Sequence, residues 1–119
     1  MTDRYIQALW RKAALKKYGE GCIRCGSHPV QCHHYIYRRV RVLRHAVENA
    51  FPLCVECHQM AHTKAGDAWL IDYMGKERHT YLLSMESVTL KQYLIDNGVS
   101  RNEWLDTAVT RLKDIIRGD

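Results

Sequence analysis

The sequence predicts a small α+β domain, with an N-terminal helix and a helical C-terminal region flanking a two-stranded centre built on cysteine knuckles. Three observations carry that expectation. The pairs Cys22-Ile-Arg-Cys25 and Cys54-Val-Glu-Cys57 have the C-x-x-C…C-x-x-C spacing of a structural zinc site with four cysteine ligands. A short strand-like stretch lies beside each pair, VQCHHYIY after the first and AFPL before the second. Helical periodicity with cap and stop residues fills both ends of the chain.

The 119 residues suit one domain with a helical appendage. We divide them into residues 1–66, the N-terminal helix and zinc-bound core, and residues 67–119, a helical subdomain. Charge follows that division. Residues 1–66 hold 11 Lys/Arg against 4 Asp/Glu, a net of +7, and residues 67–119 hold 7 against 9, a net of −2. The positive half also holds most of the histidines and all the cysteines, the footprint expected for a polyphosphate partner. There is no apolar run of about 18 residues and no signal-like leader, so a cytoplasmic protein with reduced thiols is expected. That favours zinc over disulfides.

The elements follow in order. Residues 3–18 read as a helix, capped by Thr2 or Asp3 and stopped by Gly19, with Ile6, Leu9, Trp10, Ala13 and Ala14 as its apolar stripe. A strand is expected over Val30–Tyr37. Residues 38–48 carry four arginines within seven positions, Arg38, Arg39, Arg41 and Arg44, and read as an ordered basic arm ending near Asn49. A second strand, Ala50–Leu53, enters the second knuckle. A helix from Val55 to Ala65 should stop at Gly66. Further helices are expected over Ala68–Met74, Lys76–Met85 and Val88–Asp96. The last, Ser100–Ile116, opens on the capping box Ser100-Arg101-Asn102-Glu103. Trp69, Tyr93 and Trp104 read as core anchors between these helices. Cys32 reads as a small hydrophobe or peripheral thiol, His28 as a surface group or a neighbour that supports the site's ligands, His45 as a surface group or a phosphate contact, and His79 as a surface group.

The chemistry sits between the knuckles. His58 and His62, four residues apart, share one face of a helix and can bind one metal from one side. His33 is a candidate third ligand from the strand. Its neighbour His34 is then left un-ligated beside the metal, with a titration range near neutrality. A metal and a free base together suit phosphodiester hydrolysis, in which water must be deprotonated and charge on phosphorus and the leaving oxygen stabilised. The arginines at 38, 39, 41 and 44 suit phosphate contacts.

The order His34, Asn49, His58 inside two C-x-x-C pairs resembles the HNH endonuclease family, with its ββα-metal (His-Me finger) fold. The spacings are 15 residues from His34 to Asn49, nine from Asn49 to His58 and four from His58 to His62. The resemblance implies that His34 is the general base, and that Asn49 closes the loop and orients it. It implies that His33, His58 and His62 hold the catalytic metal, and that Cys22, Cys25, Cys54 and Cys57 hold structural Zn²⁺. Many members carry Asp where this chain has His33. An all-histidine set is similar to that of the colicin-type nucleases, and Mg²⁺, Mn²⁺, Ni²⁺ and Zn²⁺ all stay open as the catalytic ion.

The basic arm and the segment WLIDYMGKERHTYLLSMES also resemble phage HNH proteins of the NinG (Rap) recombination family, which implies action on branched DNA. DNA is the expected partner. The acidic C-terminal helices suit a protein partner or a homodimer contact. A second reading, of another class, is a non-catalytic zinc-dependent nucleic-acid-binding module.

Overall fold

Thr2 caps the first helix: its hydroxyl accepts from the Tyr5 N–H, and α1 runs over Asp3–Tyr18 to Gly19, whose φ of 98° favours glycine. The computed structural model describes residues 2–118. After α1 come β1 (Gln31–His34), β2 (Ala50–Leu53), α2 (Val55–Ala61), α3 (Lys64–Met74), α4 (Lys76–Met85), α5 (Leu90–Asn97) and α6 (Arg101–Arg117). The strands form one antiparallel ribbon in the register Gln31↔Leu53 to His34↔Ala50. The result is a small α+β fold consistent with a ββα-metal core.

The ribbon has a core on each face. Phe51 and Leu53 pack with Ile36, Leu43, Ala61, Leu70, Met74 and Leu82. Ala50 packs with Ile6, Trp10, Ala13 and Ala14 of α1, Val47, and Val109 and Leu112 of α6. Each strand residue serves one core, because successive side chains point to opposite faces. The capping box of α6 is formed, and Arg111 of that helix makes a double ion pair with Glu48 at 2.9 and 2.5 Å. Helix α6 thereby lies on α1 and on the end of the basic arm.

Several elements differ from the sequence expectation. β1 stops at His34 rather than Tyr37, because the next backbone groups, those of Ile36, bond to the side chain of Asn49 instead of to a strand. The basic arm is two 3₁₀ turns, Arg41–Leu43 and Val47–Asn49. Helix α2 ends at Ala61, and Gly66 lies inside the first turn of α3, whose cap is Thr63. Trp69, Tyr93 and Trp104 are only half-buried, and the C-terminal anchors are Leu70, Met74, Leu82, Leu90, Val109 and Leu112.

Gly66 therefore has a role other than a stop. A Cβ there would lie 1.9 Å from the Met60 carbonyl oxygen and 2.8 Å from the Ala61 Cα. Only glycine lets α3 begin against the last turn of α2, and His62 sits at that corner. Arg78 is a second structural residue with no motif to announce it. Its guanidinium donates to the carbonyls of Glu48 (2.7 Å) and Ala50 (3.1 Å) and lies over the rings of Phe51 and Tyr18. Substituting Gly66→Ala should cost about 3 kcal/mol through backbone overpacking, read as a lower urea midpoint with an unchanged slope.

Candidate active site

The two adjacent histidines take opposite faces of the ribbon. His33 pairs with Phe51 and faces α2, whereas His34 pairs with Ala50 and faces α1. On the α2 side the rings of His33, His58 and His62 meet, with centroids 4.9 to 5.3 Å apart. Their nearest ring nitrogens lie within 4.8 Å of one another, close enough for a single ion. His33 is buried, His58 half-buried and His62 exposed, so the cluster opens outward. It borders a cleft of about 350 Å³ whose walls include Tyr35, Tyr37, Thr63, Lys64 and Asp67.

The electronic states of His33 and His58 suit metal ligands. Burial, reinforced by His58 and His62, pushes His33 down to about 4. Burial also lowers His58, again with help from His62. Neutral imidazoles keep the lone pairs that a metal requires. His58 Nδ1 lies 3.0 Å from the Gln31 amide oxygen. That oxygen only accepts, so Nδ1 carries the proton and Nε2 keeps its lone pair. Gln31 escaped the sequence reading, although it stands two residues before His33 and so shares its strand face.

His34 is held differently. Its ring stacks on Trp10, with centroids 4.0 Å apart and planes 9° from parallel. Nε2 lies 3.1 Å from the Arg44 carbonyl, which fixes the proton on Nε2 and leaves the Nδ1 lone pair unprotonated. Burial lowers its pKa; the Arg44 carbonyl opposes that, and the charges of Arg38 and Arg44 add to it. Near neutral pH the ring is therefore a neutral base.

The loop that carries the Arg44 carbonyl is closed by Asn49. This side chain is fully buried; its oxygen accepts from the Ile36 N–H at 2.7 Å, and its nitrogen donates to the Ile36 carbonyl at 2.9 Å. Helix α1 reads the same loop: Gln7 donates to the Arg44 carbonyl, Trp10 to that of Ala46 and Tyr18 to that of Val47. Asn49 does not bond to His34 itself; it orients the loop that does.

The four arginines have different situations. Arg38 pairs with Asp3 at 2.8 Å, and Arg44 reaches the same carboxylate at 3.4 Å while donating to the Arg38 carbonyl. Arg39 lies over the exposed Tyr37 ring, and Arg41 stands on the first 3₁₀ turn. His45 is not the surface group expected: it is buried, with Nδ1 3.0 Å from Gln7 Nε2, and burial holds it down to about 4. His79 is half-buried, 3.4 Å from the Tyr35 hydroxyl. His28 is exposed, as expected.

The cysteines converge at a second point. One sulfur from each of Cys22, Cys25, Cys54 and Cys57 lies within 4.8 Å of the others, and all are free thiols. The Cys25–Cys54 separation of 3.6 Å is close to the edge of a tetrahedron with Zn–S bonds of about 2.3 Å, which is roughly 3.8 Å. Ser27 holds the Cys25 thiol down to about 6, while burial pushes Cys57 up to about 12. Four soft sulfur donors at this spacing fit a zinc ion, which takes all four as thiolates. The first knuckle is tied to the ribbon by the Ile23 N–H, which donates to the Pro52 carbonyl at 3.0 Å.

A histidine trio on one ribbon face, a neutral histidine on the other, a buried asparagine and a four-cysteine cluster form one contiguous arrangement. Residues 22–64 match the HNH endonuclease family. The HNH segment begins at the first knuckle cysteine and ends at the first residue of α3. It points to nuclease or nucleic-acid-binding activity, with DNA as the class of partner. No curated protein and no solved structure matches this chain. No helix among the described residues is long and apolar enough to cross a membrane.

Truncating Asn49→Ala should destabilise the fold by about 2–4 kcal/mol. It would strand the buried N–H and carbonyl of Ile36, each costing about 1–3 kcal/mol, and urea unfolding followed by tryptophan fluorescence would measure the loss.

Proposed function

We propose that the protein is a metal-dependent DNA endonuclease in which His34 is the general base and His33, His58 and His62 hold the catalytic ion. The observation that carries this reading is the division of labour across the ribbon. Three imidazoles converge on one face, and His34, the residue after His33, keeps an unprotonated Nδ1 on the other. Cys22, Cys25, Cys54 and Cys57 hold a separate, structural zinc. A divalent ion bound by the trio would supply charge stabilisation to the pentacovalent phosphorus and the leaving 3′-oxygen.

The chain's own residues do the rest. His34 Nδ1 takes a proton from water as its oxygen forms a bond to phosphorus, and the bond from phosphorus to the 3′-oxygen breaks. Trp10 and the Arg44 carbonyl keep the imidazole in one orientation and tautomer, so little reorganisation accompanies the transfer. Asn49 holds the loop that presents that carbonyl. Gln31 holds His58 with Nε2 free. Arg38, Arg39, Arg41 and Arg44 contact phosphates rather than base edges, which supports low sequence specificity. The resemblance of the basic arm and C-terminal segment to the NinG (Rap) proteins supports branched recombination intermediates as the substrate.

Cleavage of plasmid DNA and of a four-way junction, with Mg²⁺, Mn²⁺, Ni²⁺ or Zn²⁺ added to protein free of loosely bound metal, tests the reading. His34→Ala should lower cutting by at least about 100-fold, the low end for a general base, while DNA binding persists. Full activity in the variant would remove His34 from its role, and metal-independent cutting would remove the catalytic ion from the trio. Preference for the junction supports the branched substrate, and equal rates on both DNAs count against it. Because the base must be unprotonated and burial lowers its pKa, the single-turnover rate should rise with pH below about 6.5 and level off by neutrality.

Gln31→Leu should weaken Co²⁺ binding at the histidine trio by about 10- to 100-fold, measured by titration calorimetry, and leave the zinc content of the cysteine site unchanged. Gln31→Glu, which keeps an acceptor for His58 Nδ1, should restore it.

A further inference from the structure

The N-terminal end of α6 reaches a part of the molecule that the HNH segment alone does not complete. Arg101, the first residue of that helix, lines a recess together with Arg41 and Arg44 of the basic arm, Asp3 and Ile6 of α1, and Trp104. The recess has a volume of about 70 Å³, room for several waters or one phosphate group. Three arginines thus share the recess with a single carboxylate and with the buried ring of His45. That carboxylate is already shared, since Asp3 accepts from Arg38 at 2.8 Å and from Arg44 at 3.4 Å. Among the described residues Arg41 and Arg101 are exposed and make no ion pair. Two arginines without an ion-pair partner on the wall of one small recess can serve an anion, since a phosphate offers each of them acceptor oxygens.

The position of the recess says which anion. Arg44 lends its side chain to the recess and its carbonyl to His34 Nε2, so one residue joins the two places. A nucleic-acid strand laid against His34 carries further phosphates along the same surface. We propose that Arg101 and Arg41 form a clamp for a DNA backbone phosphate flanking the scissile one, built jointly by the basic arm and α6. This rests on the nuclease reading and deepens it: the acidic C-terminal region contributes directly to substrate binding. Net charge by region obscures this, because Arg101 is set apart from the other six basic residues of 67–119 by the fold and not by composition.

The test is fluorescence anisotropy of a labelled duplex, without added divalent metal, over a range of salt concentrations. Each phosphate contact contributes about 0.9 to the slope of log K against log salt. Arg41→Ala and Arg101→Ala should each lower that slope by about 1 and weaken binding about five- to tenfold at roughly 0.1 M salt. Lys113→Ala, on the same helix and exposed, removes an equal charge away from the recess and should change the slope little. Arg101→Lys should recover most of the loss, because a phosphate accepts a point charge. Thermal unfolding and zinc content show whether each variant is folded. If Arg101→Ala behaves as Lys113→Ala does while the wild type binds DNA with a steep salt slope, the clamp is wrong and the nuclease reading stands. If the wild type binds no DNA, both fall together.

Discussion

The amide of Asn49 is the constraint on which the site depends. A single buried side chain satisfies both backbone groups of Ile36, and so ends β1 and closes the loop that follows it. Ile36, Leu43 and Val47 anchor this loop in the two cores, but apolar contacts do not fix where its backbone groups point. Here its carbonyls become fixed acceptors instead: those of Arg44, Ala46 and Val47 face donors on α1. Once the Arg44 carbonyl is fixed, the tautomer of His34 is fixed with it. The chain thus converts a backbone hydrogen-bonding requirement into the orientation of a base.

The ribbon separates two kinds of chemistry by the simplest geometric device available. Successive strand residues point to opposite faces, so His33 and His34 share a backbone but not an environment. One meets the rings of His58 and His62; the other stacks on Trp10. A ribbon of two strands is marginal by itself, and this one is stabilised from three sides. Helices α1 and α6 cover one face, α2 to α4 the other, and the cysteine knuckles staple its end. In a chain of this size such a metal staple adds stability that a small core supplies poorly.

Charge in this protein is divided between structure and surface. Arg78 and Arg111 bind the C-terminal end of the basic arm from the C-terminal helices, through carbonyls and through Glu48. Arg38 and Arg44 share Asp3. Such pairs near the surface contribute little energy each, but here they set the positions of loops and helix ends. Among the described residues of the basic arm, Arg39 and Arg41 make no ion pair, while Arg38 and Arg44 share one carboxylate between them.

The sequence by itself determined the ligand types, their spacing and most of the helices. The C-x-x-C pairs, the i, i+4 histidines and the Ser100 capping box are local patterns whose geometry depends on neighbours along the chain. Arg101–Arg117, Lys76–Met85 and Ala50–Leu53 were legible for that reason. Only the tertiary structure decided where long-range partners compete. Gly66 reads as a helix stop until Met60 is seen against it, and His45 reads as a surface group until Gln7 and burial claim it. Gln31 gains meaning from His58, 27 residues away. Local periodicity encodes which residues can form an element. Which hydrogen-bond and charge partners they find depends on segments far apart in the chain, and those meet only when both faces of the ribbon are covered.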